Sequence, residues 1–565
     1  MNQASLNPLR ASKILKTVEV LLLLVAAIFL ALHALHLNAD FPNHSPWMDW
    51  AKYTDEGWYG DAAIRHFQRG QWNVPGDFNP AAALPIWPLL EAALFRFTGV
   101  NLTAVRALTV AIFGLILFSS YLLLRRWHNL TVPAEKNSAA SLAPAIAVLL
   151  LSVSPFCYVF TRLAILEPLL ILFTLLALLA ASYAEPRRQQ GTNKSSLRRA
   201  LPLLALGLLF PLMVLTKTTA LFLFPAIAWL LWARAGYALR PFLRLSFLPA
   251  TLATALWLGY YTLLVRPHFL LDYRYLFNAN AYTGITAATA LSVLGTTLSD
   301  GLWIGQLLYP LAILAAASAL LLRPRLLRNP LIPSLLLWAA GYAAFLAYHN
   351  NLQPRYYLVI AVPLTLLVPV VFETLWTRTV TPATAPLRRM AVASIAAVLA
   401  VLTVTDARQT LHFVRSPDYT FTNAAAQIQH IIAADHTHNP LVLSISGANL
   451  SLMTGLPSIC DDFGTMDLAV RVKAYRPGWY VAWNHVEDDK MGALTPLYHL
   501  QRIAAFPAMD DPERNLLILY RLDTPTPTPR HRRKPALPHL LQTSFGQQSS
   551  ATRLEHERTV ALPAF

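Results

Sequence analysis

Eleven apolar stretches of about membrane-spanning length recur along this 565-residue chain, and they decide what it can fold into. A helix needs roughly 20 predominantly apolar residues to cross a bilayer. The stretches lie near 18–37, 104–124, 139–157, 168–184, 200–216, 218–233, 245–265, 301–322, 331–348, 356–376 and 389–405, with Pro202 and Pro211 interrupting the fifth. Only 13% of the residues are charged, against about 25% in a soluble domain, so lipid must solvate most of the surface.

A net charge of +16 would suggest nucleic acid in a soluble protein. Here its distribution gives a simpler account. With the N-terminus in the cytoplasm, the inward loops carry 20 Lys and Arg and the short outward loops carry 5, the asymmetry that orients membrane proteins. The expectation is a mainly α, polytopic membrane protein with about eleven transmembrane helices. It would sit in a bacterial inner membrane with its N-terminus cytoplasmic, and nucleic acid is not among its partners. The first stretch follows Arg10, Lys13 and Lys16, yet it is too long for a signal-peptide core and lacks a small-residue cleavage site, so it reads as an uncleaved anchor. Cys157 and Cys460 are the only cysteines. They fit neither a disulfide framework nor a thiolate metal site, and one bridge between them remains open.

Two outward segments are too long to be connectors. In the first, 38–103, a helix is expected over 55–69, closed by Gly70. A second, punctuated apolar helix follows at 84–98 and reads as interfacial, lying on the membrane rather than crossing it. The second segment begins after 406, where hydropathy falls and short apolar runs bounded by Gly, Pro and Asn suggest strands. A helix at 421–434, strands at 441–445, 478–483 and 516–520, and a further helix near 491–505 make 407–523 a small α/β extracytoplasmic domain. From 524 the chain is rich in Pro, Thr and Arg and is expected to be a disordered tail.

Charges that break the outward pattern call for a reason. Asp55 and Glu56 open the 55–69 helix, where first-turn acids complement the helix dipole or supply a general base to a hydroxyl acceptor. Glu167 begins a span beside Pro168, with Arg162 in the same short loop. Lys217 stands between two apolar stretches, and Arg355 precedes Tyr356 at another outer helix end. A lone cation there can snorkel to lipid phosphate as an anchor. Two cations and three acids on one face suggest a phosphate held as a leaving group.

The run Asp55-Glu56-Gly57-Trp58-Tyr59, then Arg65 and Arg69-Gly70-Gln71-Trp72, resembles the first outer loop of the bacterial protein O-mannosyltransferase-like family. This is glycosyltransferase family 39 of the GT-C superfamily, which includes the lipid A aminoarabinose transferases. Thr161 to Pro168 is similar to the family's second acidic motif, Leu215 to Thr219 to its lysine-bearing helix start, and Pro354-Arg355-Tyr356 to its late Pro-Arg-Tyr. The ordered set covers about residues 15–405. The resemblance implies catalytic roles for Asp55, Glu56 and Glu167, with Asp55 the base. Donor-phosphate contacts fall to Lys217, Arg355 and Arg162, and substrate contacts to Tyr59 and Tyr356. Where many members carry a basic residue before Pro-Pro-Leu, this chain has Asn79-Pro80 and Leu84-Pro85, which puts in doubt any sugar or metal contact made there. No metal ligand is assigned, and a divalent metal stays open as a cofactor. The loop 266–300, with His268, Asp272, Tyr273 and Arg274, either closes over substrate or lies at the interface.

The expected activity is transfer of a sugar from a polyprenyl-phosphate-linked donor to a hydroxyl of a lipid, glycan or protein acceptor at the periplasmic face. A multi-pass transporter or flippase for a lipid-linked sugar is the rival reading. It would place ionisable groups at the bilayer midplane, whereas here they sit at outer helix ends. A non-catalytic assembly or sensor protein is a third reading.

Overall fold

The computed structural model describes residues 8–40, 45–131, 141–185, 196–279, 286–349, 353–378, 385–511 and 514–525. Among these, six helices are long and apolar enough to cross a membrane: Lys13–His33, Leu102–Leu130, Leu166–Tyr183, Leu239–Asn278, Leu331–His349 and Pro354–Thr374. Four shorter apolar helices accompany them, Ala143–Val153, Ala200–Thr216, Thr218–Arg234 and Leu308–Leu321. One contiguous apolar core runs through this bundle, with Trp87, Trp338 and Tyr342 fully buried in it.

Local chemistry breaks some stretches that hydropathy reads as single helices. The 139–157 stretch divides at Ser154, whose hydroxyl accepts from the Cys157 N–H at 3.2 Å and starts the short Pro155–Phe160 helix. Proline brings no N–H, which costs nothing at a first helical position, whereas Pro202 and Pro211, expected to interrupt the fifth stretch, lie inside one continuous helix, Ser196–Thr216. The 301–322 stretch breaks at Gly305, where φ is 155°. Both cysteines are free and buried.

The 38–103 segment forms the Asp55–Arg69 helix and the Ile86–Thr98 helix. The former ends on Gly70 at φ 72°, the left-handed conformation glycine adopts without strain. A 31-residue helix, Ala385–Arg415, then leads to the C-terminal region. There a five-stranded sheet has the order β2-β1-β3-β5-β4, with β1 Val442–Leu443, β2 Ser458–Ile459, β3 Trp479–Trp483, β4 His499–Asp511 and β5 Arg514–Asp523. β1 pairs in parallel with β2 and β3, while β3, β5 and β4 are antiparallel. The helix expected near 491–505 is overturned: a short Asp488–Leu494 helix precedes β4, an edge strand. Pairing with β5 overrides the local helix preference, and Pro507 is tolerated because it lies on the edge beside an irregularity. The tail expected from 524 falls, from 526 onward, outside the described residues.

The 38–103 segment and the C-terminal region cap each other's helices. The Thr420–Ala434 helix has no side-chain cap of its own. Asp40 supplies one, accepting from the N–H groups of Phe421 at 2.7 Å and Thr422 at 3.0 Å. The Asp55–Arg69 helix also lacks its own cap, and Asn449 accepts from the Gly57 N–H at 2.5 Å. Each bond satisfies a first-turn N–H that the helix itself leaves unpaired. Tyr53 joins the apolar core of the sheet region, beside Phe421 and Trp479.

Candidate active site

The Asp55–Arg69 helix is held from two sides by contacts that need glycine. A Cβ at Gly57 would overlap the backbone of Ala448, and one at Gly60 would meet the Glu91 carboxyl. Trp58 Nε1 donates to Ile445 O at 3.1 Å, Gln68 to Ser451 O at 3.2 Å and Arg69 to Ser458 O at 2.9 Å. Farther along, Arg65 binds Asp61 at 2.9 Å and also Asp77, which Arg471 approaches at 2.8 Å. The C-terminal region thus fixes the helix that carries Asp55 and, one turn on, Tyr59.

At one end of the bundle a chain of contacts runs through five side chains. Arg355 Nη2 lies 2.8 Å from Asp55 Oδ2, and the guanidinium carbon stands 4.7 Å from the centre of the Tyr356 ring. On that ring, at 4.2 Å, sits the ammonium of Lys217, which is bonded to Glu167 Oε1. Two cations therefore share one aromatic ring, and each has a carboxylate partner. Glu167 Oε2 is buried without a hydrogen-bond partner among the described residues. Thr54 Oγ1 donates to Asp55 Oδ1 at 2.9 Å. Tyr59 feels the charges of Asp55, Arg355 and Glu167. Burial first, and then the Asp55 charge, hold its phenol well above the usual range, so it stays a hydrogen-bond donor.

Of the residues singled out in the sequence, Asp55, Tyr59, Glu167, Lys217, Arg355 and Tyr356 come together. Glu56 and Arg162 make their contacts elsewhere. Glu56 is fully buried and gripped by Arg106, Nε to Oε1 at 2.8 Å and Nη2 to Oε2 at 2.5 Å, and it accepts from the Ala164 N–H at 2.9 Å. With both oxygens engaged, it fixes the loop ahead of Glu167. Arg162 turns toward the end of the first span, donating to the carbonyls of Leu35 at 2.7 Å and His36 at 2.6 Å and lying over Tyr158. These carbonyls belong to the turn that follows the helix ending at His33, and His36 O also accepts from the Ala39 N–H at 3.0 Å. In the 266–300 stretch, the side chain of Tyr275 accepts from the Gly464 N–H at 3.2 Å, so this region packs on the C-terminal part.

Sequence reasoning missed Asp49, Arg106 and Asn449. Arg106 carried a signal, because a cation inside an apolar stretch marks a buried partner. Asp49 accepts from the Arg355 N–H at 2.9 Å and from its guanidinium, and also caps the short helix at Trp50–Lys52. Burial raises its carboxyl above the ordinary range, with Arg355 opposing. Among the described residues no group of three or more His, Cys, Asp or Glu side chains could hold a metal ion.

Fold and site define a helical bundle with, among the described residues, six helices long and apolar enough to cross a membrane and a paired-charge cluster at one end. It is structurally similar to ArnT from Cupriavidus metallidurans bound to undecaprenyl phosphate, at a TM-score of 0.53 and 15% identity over 88% of this chain and 97% of that one. The archaeal oligosaccharyltransferase AglB from Archaeoglobus fulgidus, in complex with an inhibitory peptide and a dolichol-phosphate, matches at a TM-score of 0.47 and 13% identity over 89% and 76%. At 15% identity the likeness to ArnT is one of fold. No protein-family model and no curated protein matches the sequence.

Proposed function

We propose that the chain is a membrane glycosyltransferase that moves a sugar from a polyprenyl-phosphate-linked donor to a hydroxyl acceptor at the periplasmic face of the inner membrane. The observation that carries this reading is the meeting of two carboxylate-paired cations, Arg355 and Lys217, on the Tyr356 ring. The donor phosphate enters between the two cations and displaces Asp55 and Glu167 from them. A freed Asp55 takes the proton of the acceptor hydroxyl. The oxygen then attacks the anomeric carbon, and the bond to phosphate oxygen breaks. The electron pair leaves on polyprenyl phosphate, whose added charge Arg355 and Lys217 stabilise. Tyr59, kept protonated, donates a hydrogen bond to sugar or phosphate.

Residues 1–406 form the membrane catalytic part in this reading, and 407–523 a periplasmic domain that fixes the Asp55 helix. The ArnT structure of the same fold holds undecaprenyl phosphate, a lipid of the class proposed here. The test is incubation of purified protein with a radiolabelled polyprenyl-phosphate sugar and separate lipid, glycan and peptide acceptors. Label should appear on one acceptor class as polyprenyl phosphate is released. Movement of intact labelled lipid across proteoliposomes, without cleavage, would replace this reading with a flippase.

A further inference from the structure

Away from the charge cluster, a crevice of about 820 Å³ opens between the Leu166–Tyr183 and Ser196–Thr216 helices. Glu167 and Tyr183 mark opposite ends of one helix, roughly 24 Å apart at about 1.5 Å per residue. Leu176, Leu179, Leu208 and Leu212 make its walls apolar, and Arg126, Tyr183 and Glu185 stand on its lining. Leu201 and Leu208 are well exposed, so the crevice opens sideways toward lipid.

The rim is basic. Arg126 lies 4.2 Å from the Tyr183 ring centre, and its buried Nε has no hydrogen-bond partner among the described residues. Arg234 is beside it, donating from Nε to Ala184 O at 3.0 Å. Arg125 is already paired with Glu19 at 3.5 Å. Among the described residues, the guanidiniums of Arg126 and Arg234 both stand near Glu185. A buried N–H without an acceptor is unfavourable, and a phosphate oxygen would satisfy it.

We propose that this crevice binds an anionic phospholipid of the cytoplasmic leaflet, its phosphate on Arg126 and one acyl chain along the leucine walls. The loop charges assign this end of the bundle to the cytoplasm, where the leaflet surface is negative. The volume falls within the roughly 300–1,000 Å³ of ligand sites. An anionic headgroup fits better than a zwitterionic one, because it brings no ammonium toward Arg126 and Arg234. The site is independent of the transfer reaction proposed above.

The experiment is native mass spectrometry of the full-length protein, delipidated and then offered equal amounts of phosphatidylglycerol and phosphatidylcholine. Wild type should retain one phosphatidylglycerol in preference to phosphatidylcholine. Arg126→Gln should weaken retention roughly 10- to 100-fold, the range for one lost charge-assisted hydrogen bond. Ala205→Phe, which fills the crevice and leaves Arg126 in place, should lose the lipid as well. Thermal melts of both variants check folding. Equal retention of the two lipids by wild type, or undiminished phosphatidylglycerol on either folded variant, would overturn the site.

Discussion

Asp49 and Arg355, 306 residues apart, are joined at two points: the carboxylate accepts both the backbone N–H, at 2.9 Å, and the guanidinium. This leaves the far side of the guanidinium for Asp55, at 2.8 Å. In the proposed reaction Asp49 is therefore the permanent anchor and Asp55 the exchangeable partner that the donor phosphate displaces. Asp49→Asn should let Arg355 drift. The KM for the lipid-linked sugar should rise roughly tenfold, equal to about 1.4 kcal/mol, and kcat should fall less. Steady-state kinetics check this, and an unchanged KM would mean that Asp49 only supports the fold.

Asp55→Asn keeps size and hydrogen bonding but removes the group that, in the proposed reaction, takes the acceptor proton. A positioned acid–base group contributes roughly 10²- to 10⁴-fold in rate, and turnover should drop by that much. Donor binding should persist, because Arg355 and Lys217 remain. Near-normal transfer would make Asp55 only the counter-ion of Arg355, and the base would be sought at Glu167, whose Oε2 is unpaired among the described residues.

Lys217→Met removes the ammonium but keeps a similar unbranched chain against Tyr356. Donor affinity should fall by about 10- to 100-fold, as expected for a lost charged hydrogen bond. It also leaves Glu167 buried and unpaired, so the melting temperature should drop. The double variant Lys217→Met/Glu167→Gln should recover stability without recovering affinity. Recovery of both would remove Lys217 from the phosphate site.

The contrast between local and distant signals explains what the sequence revealed. The Asp55–Arg69 helix was legible because its acidic first turn and Gly70 are written within sixteen residues. The convergence of Asp55, Glu167, Lys217 and Arg355 could be inferred from topology alone, since each breaks the charge pattern on the same face. Partner choice was not legible. Glu56 meets Arg106 across 50 residues and Gly57 meets Asn449 across 392, and a single sequence carries no trace of such pairs. Arg162 looked equivalent to Lys217, yet the turn carbonyls of Leu35 and His36 claimed it. β4 looked helical because its Gln501, Arg502, Ala504 and Ala505 favour helices, while its strand state comes from β5.

Asn449 caps the Asp55–Arg69 helix from the C-terminal region, and its Nδ2 donates to Lys52 O at 3.3 Å. Asn449→Ala should cost about 0.5–2 kcal/mol, the range for a lost cap, and should lower kcat by loosening Asp55 while donor KM stays close to normal. Gly57→Ala should be worse, because its methyl would strike the Ala448 backbone. Thermal melts and kinetics on both variants check the order. A harmless Gly57→Ala would mean that the C-terminal region does not hold this helix.

Asp61 gives a pH signature of the same contact region. Arg65 serves both Asp61 and Asp77, but Asp77 has in addition Arg471 at 2.8 Å and the Cys460 N–H at 3.1 Å. Asp61 has the weaker share of the cation, and burial pushes its carboxyl up to about 7. An unfolded Asp titrates near 3.9. Between those values the native state holds a proton that the unfolded state has released, so stability falls as pH rises and levels off above about 7. Asp61→Asn removes this dependence. Its melting temperature relative to wild type should climb from pH 4 to pH 7 and then stay flat. Asp461, also raised to about 7 by burial, acts in both proteins and cancels in the difference. Parallel profiles for variant and wild type would mean that Asp61 is ionised throughout, held by Arg65 as firmly as Asp77 is.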